Sequence, residues 1–279
     1  VIDAHQHFWQ IGRGDYGWMD DSVAAIRRDI LPGDLERIAP ALGITGTVVV
    51  QAAPTVAETE FLLSLARGSS LIRGVVGWAD LAGPEPGAEI ARLSANPMLK
   101  GLRPMLQDIP ETGWVLRAEV LRGLALAAEA GLSLDALVQP RHLGVIDTLA
   151  RRLPGLPIVI DHCAKPVFGP GRPPDADWAA GMARLAAHPQ VMCKLSGLAN
   201  ECGPGWGAEA LAPVAAHVLD IFGPERVMWG SDWPVLELAG AYPDWLACAQ
   251  ELTAGLTAGA RAEVFGGTAT RFYRLSPTP

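Results

Sequence analysis

Two histidines separated by a single residue, His5 and His7, stand near the start of the chain in Val1-Ile2-Asp3-Ala4-His5-Gln6-His7. On a β-strand, residues i and i+2 point to the same side, so both imidazoles face one way. Such a pair can hold a divalent metal or polarise a substrate oxygen. A third histidine, His162, ends the apolar run Val159-Ile160-Asp161, and Asp232 follows Val227-Met228-Trp229-Gly230-Ser231. A carboxylate beside several imidazoles can ligate metal, take a proton from water, or both. Alone, it would simply cap the next helix. Three histidines and one aspartate, with no second set of carboxylates, fit at most a single divalent ion. Zinc is the expected metal, held by His5, His7, His162 and Asp232, and metal-independent activity is also allowed.

Further polar residues fall at or within apolar runs. Arg103 follows Leu99-Lys100-Gly101-Leu102, and Lys194 lies inside Val191–Ser196. A charge inside an apolar strand is costly unless it is paired or functional. Lys194 therefore either hydrogen-bonds a substrate oxygen or pairs with a carboxylate as a buried structural ion. Gln51 and Gln139 end two more runs and are expected at a pocket mouth. Polar donors at so many strand ends suit a polyhydroxylated ligand.

The elements that must position these groups recur through the chain. Apolar, often β-branched runs occupy Val1–His7, Gly46–Gln51, Ile72–Trp78, Leu99–Met105, Ser133–Val138, Pro157–His162, Val191–Ser196 and Arg226–Ser231. Most are too continuously hydrophobic for half-exposed strands, as expected of parallel strands covered on both faces. Helical stretches are predicted over Leu35–Leu42, Trp114–Ala130, Leu143–Leu153, Trp178–Ala187, Ala208–Phe222 and, as one or two closing helices, Ala258–Tyr273. Eightfold strand–helix alternation predicts an α/β fold of the (β/α)8 TIM-barrel type, a single catalytic unit over 1–279. An open doubly wound sheet is the alternative, but no Gly-rich phosphate fingerprint follows the first strand. Two segments break the rhythm: Phe8–Leu31, with Trp9, Tyr16 and Trp18, and the Pro/Gly-rich Gly169–Asp177. Both leave strand C-termini, where barrel enzymes build their sites.

Composition narrows the function classes. With 22 basic against 30 acidic residues the net charge is −8, so the cationic footprint of a nucleic-acid binder is missing. No uninterrupted apolar window is long enough for a membrane span. No signal peptide is visible, and none of the four cysteines forms a CxxC pair, so a reduced, cytoplasmic setting is expected. Cys163 and Cys193 read as small core filler.

Taken in order, DAHQHFW, GLRPMLQD, DHCAKP, KLSG, GSDWPV and the closing FGGTATRFYRL resemble the amidohydrolase-related lactonases, which include L-fuconolactonase, L-rhamnonolactonase and the pyrone-dicarboxylate lactonase. The resemblance spans essentially the whole chain. It implies a distorted, amidohydrolase-like barrel that hydrolyses a sugar-acid or related lactone, with Asp232 as general base, His5 and His7 as the HxH pair, His162 as the histidine of the sixth strand, and Lys194 as the KLSG lysine. Under that reading Lys194 and Arg103 orient ring hydroxyls or the product carboxylate, while Trp9, Trp18 and Trp233 stack on the sugar. The expected partner is a small sugar lactone, with homo-oligomerisation left open. One position departs from the pattern: sugar lactonases of this type often carry histidine after the strand-4 arginine, where this chain has Pro104. The ligand is therefore expected to be read less through strand 4 and more through Lys194, Gln139 and the Phe8–Leu31 loop. Metal-dependent decarboxylation of an aromatic acid on the same barrel is the alternative, disfavoured because Ala4-His5-Gln6-His7 contains no glutamate.

Overall fold

The computed structural model describes residues 1–276. Eight parallel strands pair in sequence order: β1 (Ile2–Gln6), β2 (Gly46–Val50), β3 (Ile72–Gly77), β4 (Leu99–Leu102), β5 (Ser133–Ala136), β6 (Ile158–Ile160), β7 (Val191–Leu195) and β8 (Val227–Trp229). Helices lie between them, so the chain forms the expected (β/α)8 barrel. Each strand is buried on both faces, as their unbroken hydrophobicity requires. Val48, Val50, Val76, Val159 and Met228 pack together, with Tyr273 and Leu275 of the C-terminal segment closing this inner cluster. Val49, Val75, Leu134, Ile160 and Leu195 instead join the larger core that includes the helices.

The barrel is distorted where β8 meets β1. No ladder joins these strands. The seam is closed by residues just beyond β8, through Asp232 N–H to His5 O (2.8 Å) and His7 N–H to Trp233 O (2.8 Å). The β1–β2 register also slips by one residue, from Asp3 opposite Thr47 to Gln6 opposite Val49. Such bulges re-aim side chains and are common beside active sites.

Several helices differ from the sequence expectation for local reasons. The stretch predicted over Leu35–Leu42 is a helix over Pro32–Glu36 and a separate 3-10 turn over Pro40–Leu42. Pro40 supplies no amide donor, so the i→i−4 ladder cannot continue through it. The stretch from Trp114 is broken by extended Arg117, leaving a turn and a helix over Ala118–Glu129. The closing stretch is interrupted at Glu263–Gly267, where Gly266 has φ 167°. Helices over Val56–Ala66, Pro86–Ser94 and Tyr242–Leu252 complete the outer layer. Among the described residues, no helix is long and apolar enough to cross a membrane.

The Phe8–Leu31 segment contains no α-helix, yet it is anchored. Trp9 and Ile30 exchange both backbone hydrogen bonds, and Trp9, Ile26 and Ile30 are fully buried. Its tip is tied to the barrel by Trp18 Nε1–H to Ala52 O (2.8 Å) and Tyr16 OH to Glu58 Oε2 (2.8 Å).

Candidate active site

Strand-end placement brings His5, His7, His162 and Asp232 together. Asp232 Oδ1 lies 3.2 Å from His7 Nε2, 3.6 Å from His5 Nε2 and 4.0 Å from His162 Nε2. All four residues are buried. His7, His162 and Asp232 face a cavity of about 250 Å³ whose walls include Trp9, Trp18 and Arg103. Burial opposes ionisation of Asp232, but His162 beside it and the hydrogen bond with His7 outweigh burial and hold the carboxyl well below its usual range. Burial lowers the pKa of His5 and of His162.

The backbone at two of these positions is unusual. His162, Cys163, Ala164 and Lys165 all have φ between 49° and 60°, and Asp232 has φ 57°. A left-handed conformation costs a non-glycine residue about 1–2 kcal/mol. The run after β6 is braced by Lys165 N–H to His162 O (2.8 Å), Trp178 Nε1–H to Cys163 O (2.8 Å) and Cys163 Sγ–H to Lys194 O (3.3 Å). Strain of this kind persists where surrounding contacts over-determine it, and it gathers at functional sites. Here it turns the His162 imidazole toward Asp232. Gly197 leaves the ring its room, since a Cβ there would lie 2.5 Å from His162 Nδ1.

The donor set fits a divalent ion. His7 Nδ1 lies 2.8 Å from the Val50 carbonyl, which can only accept, so the Nδ1 proton is fixed there and Nε2 presents a lone pair toward Asp232. Two acceptors then face each other across 3.2 Å, an arrangement that calls for a cation or a proton between them. Tetrahedral zinc with ligands at about 2.0–2.1 Å separates its ligand atoms by about 3.4 Å. The separations of Asp232 from His7 and His5 bracket that value. His5 Nδ1 lies beside both Lys194 Nζ (3.0 Å) and Asp161 Oδ1 (3.4 Å), so either tautomer has a partner. A second group of possible ligands, His5, Asp161 and His162, overlaps the first.

Lys194 is the main correction. It is fully buried and does not face the cavity. Its three donors meet Asp135 Oδ2 (2.6 Å), Asp161 Oδ1 (3.0 Å) and His5 Nδ1 (3.0 Å). Of the two roles left open by the sequence, the structural ion is the one its contacts fit. Arg103 Nη1 lies 3.5 Å from Asp161 Oδ2, so two carboxylates and two cations balance beneath the imidazoles. Burial raises the Asp135 carboxyl. Lys194, His5 and Arg103 overcome the same effect at Asp161 and hold it well below the usual range.

Three other residues expected at the ligand do not line the cavity. Gln51 is fully buried, donating through Nε2 to Arg103 O (2.7 Å). β5 ends at Ala136, so Gln139 lies beyond the sheet, at the start of the turn Pro140–His142 and in a neighbouring groove. Trp233 follows left-handed Asp232, which breaks strand alternation, and packs against Phe8 with Nε1–H to Glu237 Oε1 (2.8 Å). The Gly169–Asp177 loop borders a separate surface cavity of about 610 Å³ that contains none of the imidazoles.

The sequence reading also missed residues that hold the site. Asp3 accepts from Ser231 Oγ (2.6 Å), Tyr242 OH (2.7 Å), Ser231 N (2.8 Å) and His5 N (3.1 Å), tying β1 to the β8 loop, and burial pushes its pKa up to about 6. Asp135, Lys165 and Glu58 were likewise passed over. A carboxylate inside an apolar strand was the available signal for Asp3 and Asp135.

Known proteins share this arrangement of the chain. The amidohydrolase family model matches residues 2–275. An L-fucono-1,5-lactonase of Burkholderia ambifaria is 45% identical over 98% of this chain and 95% of its own length. An L-fucono-1,5-lactonase of Burkholderia multivorans is 36% identical over 100% of this chain and 97% of its own. The crystal structure of an amidohydrolase from Burkholderia multivorans with bound zinc superposes with a TM-score of 0.92, at 36% identity and 99% coverage of both chains. Sequence, fold and site agree that this chain belongs to the amidohydrolase family.

Proposed function

We propose that this protein hydrolyses an aldonolactone, with L-fucono- or L-rhamnonolactone as the favoured type and Asp232 as the base. The observation that carries this reading is one carboxylate oxygen within 3.2–4.0 Å of three imidazole nitrogens at the floor of a small cavity. Asp232 takes a proton from water, and the water oxygen adds to the lactone carbonyl carbon. The ring C–O bond then breaks, the ring oxygen leaves as a hydroxyl after taking up a proton, and the new carboxyl group ionises with net release of one proton. His162, whose Nδ1 lies 2.9 Å from Ser196 Oγ and can accept from it, would present Nε2–H to the oxyanion of the tetrahedral intermediate. A single zinc ion held by His5, His7 and Asp232, with His162 beside it, would polarise the carbonyl and make water more acidic.

Other side chains bind and orient. Arg103 reaches the cavity and would meet a ring hydroxyl. Trp9 and Trp18 form an aromatic wall on which a sugar face can rest. Pro104 follows β4 and offers no side-chain hydrogen bond, so selectivity on that side falls to Arg103 and the Phe8–Leu31 loop. A pH-indicator screen of aldonolactones tests the assignment. Acid release above the uncatalysed rate is expected with 6-deoxyhexonolactones, and a panel in which no lactone is opened sinks it.

A further inference from the structure

Three cations surround the imidazole cluster, and they differ in what they are free to do. Lys194 is fully buried with its three donors engaged. Arg103 is 3% exposed and held by the Gln51 carbonyl and Asp161. Lys165 faces the same cavity as His7, His162 and Asp232, and its side chain is 22% exposed. Its charged partner is Glu201, 3.0 Å away on the short helix Leu198–Cys202. Glu201 does not face the reaction cavity. It lies with Lys165 on the neighbouring groove. Lys165 thus stands on the boundary between the two. The left-handed run from His162 to Lys165 fixes its backbone relative to His162. The pair is only partly buried and open to the cavity side, so an incoming anion can compete with Glu201 for the ammonium.

Opening a neutral lactone creates an anion next to Asp232. A second acidic residue, Asp108, also faces the cavity. The product carboxylate therefore needs a cation, and a cation that held it permanently would block turnover. We infer that Lys165 receives the carboxylate formed by ring opening, and that Glu201 competes with it for the ammonium and so promotes release. This inference rests on the lactone-hydrolase reading.

Product inhibition separates the two claims. The probe is the purified aldonate of whichever lactone the wild type opens fastest, with variant folding checked by thermal melting. Lys165→Met removes a charged hydrogen bond and should raise the aldonate inhibition constant by roughly tenfold, while KM for the neutral lactone moves much less. Glu201→Gln removes the competitor and should lower the inhibition constant by roughly threefold. An inhibition constant unchanged in either folded variant overturns the inference and leaves the lactonase reading standing. A KM that rises in step with the inhibition constant in Lys165→Met also overturns it, because Lys165 would then be a general substrate ligand. A wild type that opens no aldonolactone removes both.

Discussion

Replacing Lys194 with methionine should unfold the protein more readily rather than merely weaken substrate binding. Lys194 and both of its carboxylate partners have no exposed surface, so solvent screening gives no discount. The substitution leaves Asp135 and Asp161 facing each other across a space that held an ammonium. Breaking a buried pair by removing one partner costs about 3–5 kcal/mol. Unfolding entropy near 2.1 cal/mol/K per residue over 279 residues gives about 0.6 kcal/mol/K, so the expected fall in Tm is about 5–8 °C. Scanning calorimetry at pH 7 measures it directly. Neutralising one stranded carboxylate should recover part of the loss, so Lys194→Met/Asp135→Asn should melt above Lys194→Met alone. A single variant within 1–2 °C of wild type, roughly the shift from 1 kcal/mol, with KM for lactone strongly raised, would refute the structural assignment and return Lys194 to the substrate.

Other perturbations follow from the same contacts. Asp232→Asn should fold with near wild-type Tm and lose on the order of 10²–10⁴ in kcat, and a proton-release assay showing near wild-type turnover would remove it as the base. Gly197→Ala places a Cβ against the His162 ring at a residue with φ 66°, so kcat should fall at least about tenfold from misplacement of that imidazole. Wild-type kcat in that variant would mean that His162 does not have to hold its position. Glu58 is buried where the Phe8–Leu31 loop meets the barrel, and burial raises its pKa from 4.5 to about 7 against the opposing hydrogen bonds from Tyr16 and Ala52. A raised carboxyl favours the folded state fully below pH 4.5, and that contribution is lost as pH rises through about 7. Glu58→Gln should therefore gain up to about 3 kcal/mol relative to wild type between pH 5 and pH 8. Denaturant titrations at both values check this, and a pH-independent difference would contradict it.

The clustering of the four polar residues was legible because strand ends can be found from hydrophobic runs. His5, His7, His162 and Asp232 all lie at or within two residues of the end of such a run, and a barrel gathers all its strand ends on one rim. Trp9 and Trp18 were legible as aromatics in a long loop leaving that rim. The support beneath them was not. Lys194 meets Asp135 of β5 and Asp161 just past β6, and that pairing depends on barrel register, which a list of runs does not contain. Gln139 was expected at a strand end because the apolar run continues to Val138, but β5 stops at Ala136. Trp233 was expected on the sugar as an aromatic near the site, but it follows left-handed Asp232 and packs against Phe8. Lys165 lies three residues past the apolar run that ends at His162, where strand periodicity carries no signal. Only the left-handed run beyond that residue brings the lysine to the cavity.

If Asp232 directs water onto the lactone carbonyl carbon, oxygen-labelled water will mark the bond that forms. The wild type would be given its best aldonolactone in ¹⁸O-water, and the product analysed by mass spectrometry. One ¹⁸O is expected in the carboxylate and none in the hydroxyl at the former ring oxygen, with the enzyme-dependent rate nearly abolished in Asp232→Asn. Label at that hydroxyl, or equal enzyme-dependent incorporation by the Asp232→Asn variant, would contradict it.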